Sequence, residues 1–435
     1  MTKAQKSICD SVFYDYDNLT SITIPDCVIS IGEYAFTDCS ALTAVVIPDS
    51  VTEIGAYAFK GCELLKDVTF GASVESIGDG AFKNCAALET IALPDSVVKI
   101  GNEAFYGTAW FTAQPEGLVY IGKVAYKFTG DMDPDTSIEI TDGTKGISDF
   151  AFDARRNLVA VTIPDTVEYI GDAAFRNTGI KALGLPEGLK EINYMVCYSC
   201  DELTEINVPK SVTGIAYDTI ASCDALAAVN FDKGSKAYVG SGNFYDCPLL
   251  KELTIPYGVG SPTGCVPDGT SLKCFEDTIW HKYALENGID FELLTGIIVK
   301  DNTFNIDGEL LWGAKEDSSF DSIVAGLGDA QYKLFDAAGE EITDTAAAAF
   351  TGAAIKLYKD GNAVDTIYVV IPGDVDGIAG IETDDARKVL RASVGLDNLA
   401  GAFAAAADVV DDGDKPISTD DARKILRASV GLDVI

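Results

Sequence analysis

The sequence is poor in the residues that most enzyme sites and nucleic-acid interfaces require. It has one histidine, His281. That excludes histidine-rich zinc sites and makes most nucleophile–base mechanisms hard to assemble. Basic residues are scarce as well: 32 Lys and Arg stand against 68 Asp and Glu, for a formal net charge of −36. Such a chain repels nucleic acid and anionic membranes. No apolar run reaches the ~18 residues that read as a membrane-spanning helix. The opening Met1-Thr2-Lys3-Ala4-Gln5-Lys6 has no apolar segment of the signal-peptide kind. Glycine (41) far outnumbers proline (14), with no collagen period. Even so, 47% hydrophobic and 23% charged residues give the 435-residue chain enough material for packed cores.

What the chain does have is repetition. Residues 19–41 read LTSITIPDCVISIGEYAFTDCSA and residues 42–64 read LTAVVIPDSVTEIGAYAFKGCEL. The same 23-residue frame, LxxIxIPDSVxxIGxxAFxxCxx, opens again at Leu65 and Leu88, then at Leu158, Ile180, Leu203, Leu226 and Leu250. In each copy L-x-x-I-x-I predicts a short strand, and the following Pro-Asp ends it, since Pro lacks the N–H that a ladder needs. The Val and Ile of SVxxI should point inward along a second side. Gly and Ala-Phe should turn the chain back, stacking Phe36, Phe59, Phe82 and Phe105 coil on coil. One coil cannot bury its own apolar face, so neighbours must stack into a solenoid. About eleven coils at ~4.8 Å each would span on the order of 50 Å.

Six of the eleven cysteines hold one slot of this frame: Cys39, Cys62, Cys85, Cys200, Cys223 and Cys247. The register predicts stacked free thiols filling a small apolar site. Cys197-Tyr198-Ser199-Cys200 matches a C-x-x-C pattern. Cys197, however, falls in the inward Phe slot, so the spacing is a by-product of the repeat. Cys265 and Cys274 lie outside the register, where a disulfide between them stays open as an alternative to free thiols. His281 follows Trp280 with no evident partner and reads as structural or surface.

The strand face is the natural recognition surface. Its outward positions are Thr23, Val46, Thr69, Ala92, Thr162, Gly184, Asn207, Asn230 and Thr254, small and mostly polar. Aromatic residues gather instead in the segment 110–157 (Trp110, Phe111, Tyr120, Tyr126) and near Trp280 and Tyr283. They either pack those segments or form an interaction patch.

These repeats resemble the BspA-like, or type 5, leucine-rich repeats of bacterial surface proteins, over about residues 8–294. By that resemblance, 110–157 is a double-length insert and 279–294 is a helical closing coil. The chain opens in mid-repeat, with Ile8 and Phe13 each 23 residues before Ile31 and Phe36. This leads to the expectation of a signal peptide and more sequence upstream in the natural protein.

After Leu294 the period stops. The runs GIIV, QYKLF, AAIKLY and TIYVVI predict strands, Ala-Gly and Asp-Gly predict hairpin turns, and SFDSIVAGL predicts a short helix starting near Ser319. Residues 296–371 therefore read as a small α+β spacer module.

The last 64 residues carry a duplication. TDDARKVLRASVGLD at 383–397 returns as TDDARKILRASVGLD at 419–433, an offset of 36. Each copy predicts an amphipathic helix, with Ala386, Val389, Leu390 and Val394 on one face. Each follows an acidic loop with oxygen ligands at calcium-loop spacing. In the first loop Asp374, Asp376, Glu382 and Asp385 supply carboxylates and Gly380 a carbonyl. Ile378 sits where a side-chain ligand is expected. In the second loop, which is longer, the ligands are Asp408, Asp412, Asp414, Ser418 and Asp421, with Pro416 for the carbonyl and Asp411 competing for the third place.

Two such loops with one helix each resemble a dockerin, the calcium-binding module that plugs secreted subunits into cohesins of cellulosome-type scaffolds. The resemblance implies two bound Ca2+ ions. It also implies cohesin contacts by Thr383, Asp384, Arg387, Lys388 and Arg391, and by their twins Thr419, Asp420, Arg423, Lys424 and Arg427. The expected fold is a leucine-rich-repeat β solenoid over 1–295, an α+β module over 296–371 and an all-α dockerin over 372–435. The expected function is that of a secreted, non-catalytic, scaffold-docked subunit whose solenoid binds a protein or cell surface. Two alternatives remain: the C-terminal part of a larger polysaccharide-degrading enzyme, or a carbohydrate-binding adhesin. No nucleophile–base pair, phosphate loop or carboxylate pair outside the calcium loops points to catalysis.

Overall fold

A computed structural model describes residues 6–294 apart from 233, 263 and 265, most of 305–371, and residues 388, 406, 407, 424 and 425. The chain divides into two compact units, Met1–Glu292 and Leu293–Ile435. No described helix is long and apolar enough to cross a membrane.

The first unit is a β solenoid of about 12 turns. On one side, Ala44–Val46 pairs in parallel with Asp67–Thr69, Val45 opposite Val68. On a second side, Val28–Ile31, Glu53–Ile54, Ser76–Ile77 and Lys99–Ile100 form a parallel ladder. Ile31, Ile54, Ile77 and Ile100 stand in register along it and are at most 1% exposed. Proline ends each strand by opening a turn. The carbonyls of Pro25, Pro48 and Pro94 accept from the amides of Val28, Val51 and Val97 at 3.0–3.1 Å.

The return segment is held by bonds between coils. The amides of Phe36, Phe59 and Phe82 donate to the carbonyls of Ala58, Ala81 and Ala104, each at 2.7 Å. This requires a left-handed residue in every turn: Tyr34, Tyr57, Gly80 and Glu103 have φ of 56°, 57°, 54° and 55°. A side chain there costs about 1–2 kcal/mol, so the stacking must over-determine it. Phe13, Phe36, Phe59, Phe82 and Phe105 form the expected column, with centroids 5.0–5.5 Å apart and planes within 11°. Where the chain turns into this segment, neighbouring coils come very close. A Cβ on Gly55 would lie 2.8 Å from the Glu33 amide nitrogen, so only glycine fits.

The cysteines of the repeat slot are buried and free. They do more than fill space. The thiols of Cys62 and Cys85 donate to the carbonyls of Phe36 and Phe59 one coil back, at 3.2 and 3.0 Å. Cys39, Cys200 and Cys223 do the same toward Phe13, Phe175 and Cys197. Thr108 and Thr178 replace the thiol in two coils, and each hydroxyl donates to the Phe carbonyl of its own coil. Burial pushes the Cys39 thiol up to about 11, far from nucleophilic. Cys197 and Cys200 are both fully buried free thiols. Cys274 is a buried free thiol as well, and Cys265 lies outside the described residues.

The insert is a helical turn, Ala109–Thr112, followed by an antiparallel hairpin of Gly117–Ile121 and Val124–Thr129. The hairpin divides the core. Val124 and Tyr126 pack with the coils before it, and Ala125 and Phe128 with those after it. It also interrupts the return ladder, so the Phe105 amide has no following coil to donate to. The Tyr126 hydroxyl takes that place and accepts from it at 3.0 Å. At the far end, helix Ile279–Asn287 closes the solenoid. Trp280 is fully buried and its indole donates to the Val259 carbonyl at 3.0 Å. His281 accepts from the Asp277 amide and meets Phe291 edge-on at 4.9 Å, a structural role.

In the second unit, six strands run in the order Asn305–Asp307, Leu310–Trp312, Asn362–Val369, Ala354–Lys359, Gln331–Phe335, Glu341–Ile342. Helix Phe320–Ala325 follows Ser319, whose hydroxyl accepts from the Ser322 amide. Phe320 and Ile323 pack with Leu334, Ile355 and Ile367. The predicted strand GIIV lies outside the described residues.

Tyr126→Phe should leave the Phe105 amide buried without an acceptor and lower the unfolding free energy by about 1–3 kcal/mol, read from the urea midpoint. Tyr120→Phe is the control: its hydroxyl serves the exposed Thr141 amide, so the midpoint should barely move.

Candidate functional site

Thr23, Val46, Thr69, Ala92, Thr162, Gly184, Asn207, Asn230 and Thr254 are all exposed. The alternation of each strand places them there, with their neighbours Val45, Leu183, Ile206, Val229 and Leu253 buried. Some side chains are tied along the row: the Asn230 amide donates to the Asn207 side-chain oxygen at 2.8 Å. Beside Thr23, Val46 and Thr69 lies a shallow depression of ≈ 800 Å³, bounded by Asp26, Asp49 and Phe70.

A second row runs alongside. In five coils Asp26, Asp49, Asp95, Asp165 and Glu187 occupy the slot after the strand-ending proline, all exposed, while Ala72 and Lys210 hold it in two others. This carboxylate rail is absent from the expected contact set. The signal was present in the IPDS frame itself, where the Asp was read only as part of a strand stop. Together the rows form a strip of small polar side chains edged by negative charge, suited to an extended ligand with basic groups.

The aromatic residues resolve toward packing. Trp110 and Phe111 surround Tyr126 at ring-centroid distances of 6.3 and 5.8 Å, and Tyr126 is 3% exposed. The exposed aromatics are tyrosines elsewhere, among them Tyr106, Tyr217 and Tyr245.

Another groove, of ≈ 500 Å³, is lined by Asp10, Asp79, Asp149, Lys99 and Tyr169. Its three aspartates, and Asp172 outside it, are engaged between coils. Asp10, Asp79, Asp149 and Asp172 accept from the amides of Glu33, Asn102, Asp172 and Tyr194 at 2.7–3.0 Å. Each ties its coil to the next. Asp149 also accepts from the Tyr169 hydroxyl at 3.1 Å. Burial, then the neighbouring Asp172, push Asp149 up to about 7.

The proposed calcium ligands Asp374, Asp376, Gly380, Glu382, Asp385, Asp408, Asp412, Asp414, Pro416, Ser418 and Asp421 lie outside the described residues. So do Thr383, Asp384, Arg387, Arg391, Thr419, Asp420, Arg423 and Arg427. Lys388 and its twin Lys424 are described. Both are helical and half-buried, and Ile425 beside Lys424 is fully buried.

Because the Asp149 carboxyl holds its proton more tightly folded than unfolded, its ionisation costs stability as pH rises from about 4 to about 7. Asp149→Asn keeps the acceptor oxygen and removes that charge. The variant should melt a few °C above the parent at pH 8, at about 2–4 °C per kcal/mol, with the gap closing at pH 4. A gap of the same size at both pH values would contradict this.

A profile described as the BspA type leucine-rich repeat region, in 6 copies, matches residues 6–133 and 119–251. No curated protein matches the sequence. Among solved structures, the pneumococcal vaccine antigen PcpA is 21% identical, covering 62% of this chain and 72% of its own, at a TM-score of 0.34. A leucine-rich repeat protein from Bacteroides ovatus is 20% identical over 68% of this chain and 97% of its own, at a TM-score of 0.24. A leucine-rich cell surface protein from Faecalibacterium prausnitzii is 24% identical over 66% and 86%, at 0.29. The profile spans more than half of the sequence, over the coils whose register is described above: the chain belongs to the BspA-type leucine-rich repeat family.

Proposed function

We propose that the protein is a secreted, non-catalytic subunit with two binding ends. The solenoid takes a protein or cell-surface partner along its strand face. Residues 372–435 dock, in calcium, onto a cohesin of a cellulosome-type scaffold. The first half rests on one observation, the exposed strip of small polar side chains edged by the rail Asp26, Asp49, Asp95, Asp165 and Glu187. A surface of this charge favours a partner that presents Lys or Arg, and it speeds their encounter at low salt.

The second half rests on the duplication. Its donor sets are all oxygen, as calcium requires. The helical backbone at Lys388 and at Lys424, 36 residues on, supports a helix in each copy. Clustered carboxylates repel one another until a cation joins them, so metal binding and folding of this tail are coupled. Ile378 leaves the first loop one side-chain ligand short and should make it the weaker of the two.

Calorimetry of the full chain against a panel of cohesins should give tight binding to one of them in calcium and none in chelator. Absence of binding to every cohesin in calcium would remove the docking role. The near identity of the two copies predicts two bound orientations related by a half turn. Replacing Arg387 and Lys388 alone, or Arg423 and Lys424 alone, should cost only about twofold, the loss of one of two equivalent modes. Replacing all four should abolish binding. A large loss from either single copy would reject the dual mode.

A further inference from the structure

The solenoid covers many of its rings with its own cations. Lys60 sits over Tyr57, Lys83 over Tyr106 and Lys99 over Tyr169, at 5.1–5.7 Å from the ring centroids. Arg155 and Arg176 lie over Phe128 and Phe150 at 5.3 and 5.1 Å. A ring face attracts a cation through its quadrupole. Tyr238 breaks this pattern. It is 60% exposed, and among the described residues no cation or second ring lies against it. Yet it holds the outward position of its second-side strand, as Tyr169 and Lys99 do of theirs.

The register places glycine on both sides of this ring. Glu191 lies opposite Gly214, Gly214 opposite Tyr238, and Tyr238 opposite Gly260. A Cβ on Gly260 would lie 3.9 Å from the Tyr238 Cδ2, so the ring borders that glycine. On the other side, a Cβ on Gly214 would meet only the Glu191 Cγ, at 3.9 Å, and no atom of Tyr238 within 4 Å. Gly214 therefore floors an open notch between a ring and a carboxylate side chain. The backbones of its two walls stand two strand spacings, about 10 Å, apart. Glu191 is exposed and forms no ion pair among the described residues. The nearby lysines belong elsewhere. Lys190 lies in the adjacent row, its carbonyl bonded to Thr213. The Lys236 stem runs toward the following coil, where a Cβ on Gly258 would touch its Cγ at 3.0 Å.

We propose that the notch over Gly214 takes an arginine side chain from a partner protein, its guanidinium flat on the Tyr238 ring and hydrogen-bonded to the Glu191 carboxylate. The partner thus supplies in trans the cation that Lys99 gives Tyr169 in cis. A guanidinium is planar, stacks on a ring and bonds a carboxylate through a fixed fork, which an ammonium does not match. The net charge of −36 draws a basic partner in. A neutral sugar would leave the Glu191 charge unanswered, and an anion would be repelled by it. The notch lies on a different side of the coil from the strand face and needs neither the Asp rail nor the calcium-binding tail.

The test is NMR of the full chain with carbon-13 in its tyrosine rings, at about 0.15 M salt to screen distant charges. The Tyr238 signal is identified by its loss in Tyr238→Phe. The probe is a blocked pentapeptide, acetyl-Gly-Ser-Arg-Ser-Gly-amide, with citrulline in place of arginine as the uncharged counterpart. The Tyr238 signal should shift and saturate with the arginine peptide and stay still with the citrulline peptide, while most other tyrosine signals hold their places. Glu191→Gln should weaken binding roughly threefold, as for an exposed ion pair. Gly214→Arg supplies the cation in cis, where a side chain has room, and should abolish the response. Unchanged signals from the remaining tyrosines confirm that each variant is folded, and having two variants keeps the test decisive if one is not. A still Tyr238 signal, an equal shift with citrulline, or all tyrosine signals moving alike would overturn the proposal. So would undiminished binding by both folded variants, a saturating shift with cellobiose, which would point to a sugar, or a tenfold tighter response to free arginine, which would point to a small molecule.

Discussion

Everything in the first unit depends on adjacent coils being in register. A 23-residue coil has three sides, each with a stripe of apolar side chains, and no interior of its own large enough to hide them. Stacking solves the burial problem and the backbone problem in one step. The amide that faces away from one coil finds a carbonyl on the next, and Phe36 finds Phe59. A slip of one residue would turn the inward Ile ladder toward solvent and separate the phenylalanine rings together. The strained turns at Tyr34, Tyr57 and Glu103 are tolerated for the same reason. Each is fixed from two sides by its neighbours, and the strain is shared along the array.

The insert shows what happens when the register is interrupted. A hairpin replaces a coil, and its Val124–Thr129 strand becomes a wall shared by two cores, Val124 and Tyr126 serving one and Ala125 and Phe128 the other, with a bulge between. The ladder of main-chain bonds is broken at Phe105 and restored by a side chain, the Tyr126 hydroxyl. Lys127, beside it, is pulled below the usual lysine range by burial and donates to the Phe150 carbonyl. The wall thus carries polar groups with assigned partners, not a bare apolar seam. The interruption is built as a joint between two stretches of regular solenoid.

The regular part of the molecule was legible because period carries physical information. Val51, Ile54, Phe59 and Leu65 recur 23 residues later as Val74, Ile77, Phe82 and Leu88, and a position that recurs through stacked coils faces the core in all of them. What period could not convey is where a polar group goes. The cysteine slot looked like a filler of space. Only the structure shows that five of the six thiols donate to the carbonyl one coil back, while Cys247 turns to Tyr245 of its own coil. The exposed Asp rail was hidden in the strand-stop signal, because a turn residue and a binding residue can be the same residue. The hairpin had no periodic partner to compare with, so Tyr126 read as one aromatic among four. In the second unit the strands QYKLF and AAIKLY were evident from β-branched and aromatic alternation. Their neighbour relations were not, since the order of strands in a sheet leaves no periodic trace.

Through the regular coils the donors in the return segments point one way, the amide of one coil giving to the carbonyl of the coil that follows, as Phe36 gives to Ala58 and Phe59 to Ala81; Phe244, which gives back to Ile220, is an exception. A coil therefore presents the same acceptors to whatever precedes it and the same donors to whatever follows. Duplication or deletion of one 23-residue stretch in the gene, by unequal recombination between copies that share the frame, restores a matching joint without any new contact having to evolve. The length of the array is free to drift over generations, while the hairpin, which has a different partner on each side, can neither be copied nor lost without leaving an amide stranded.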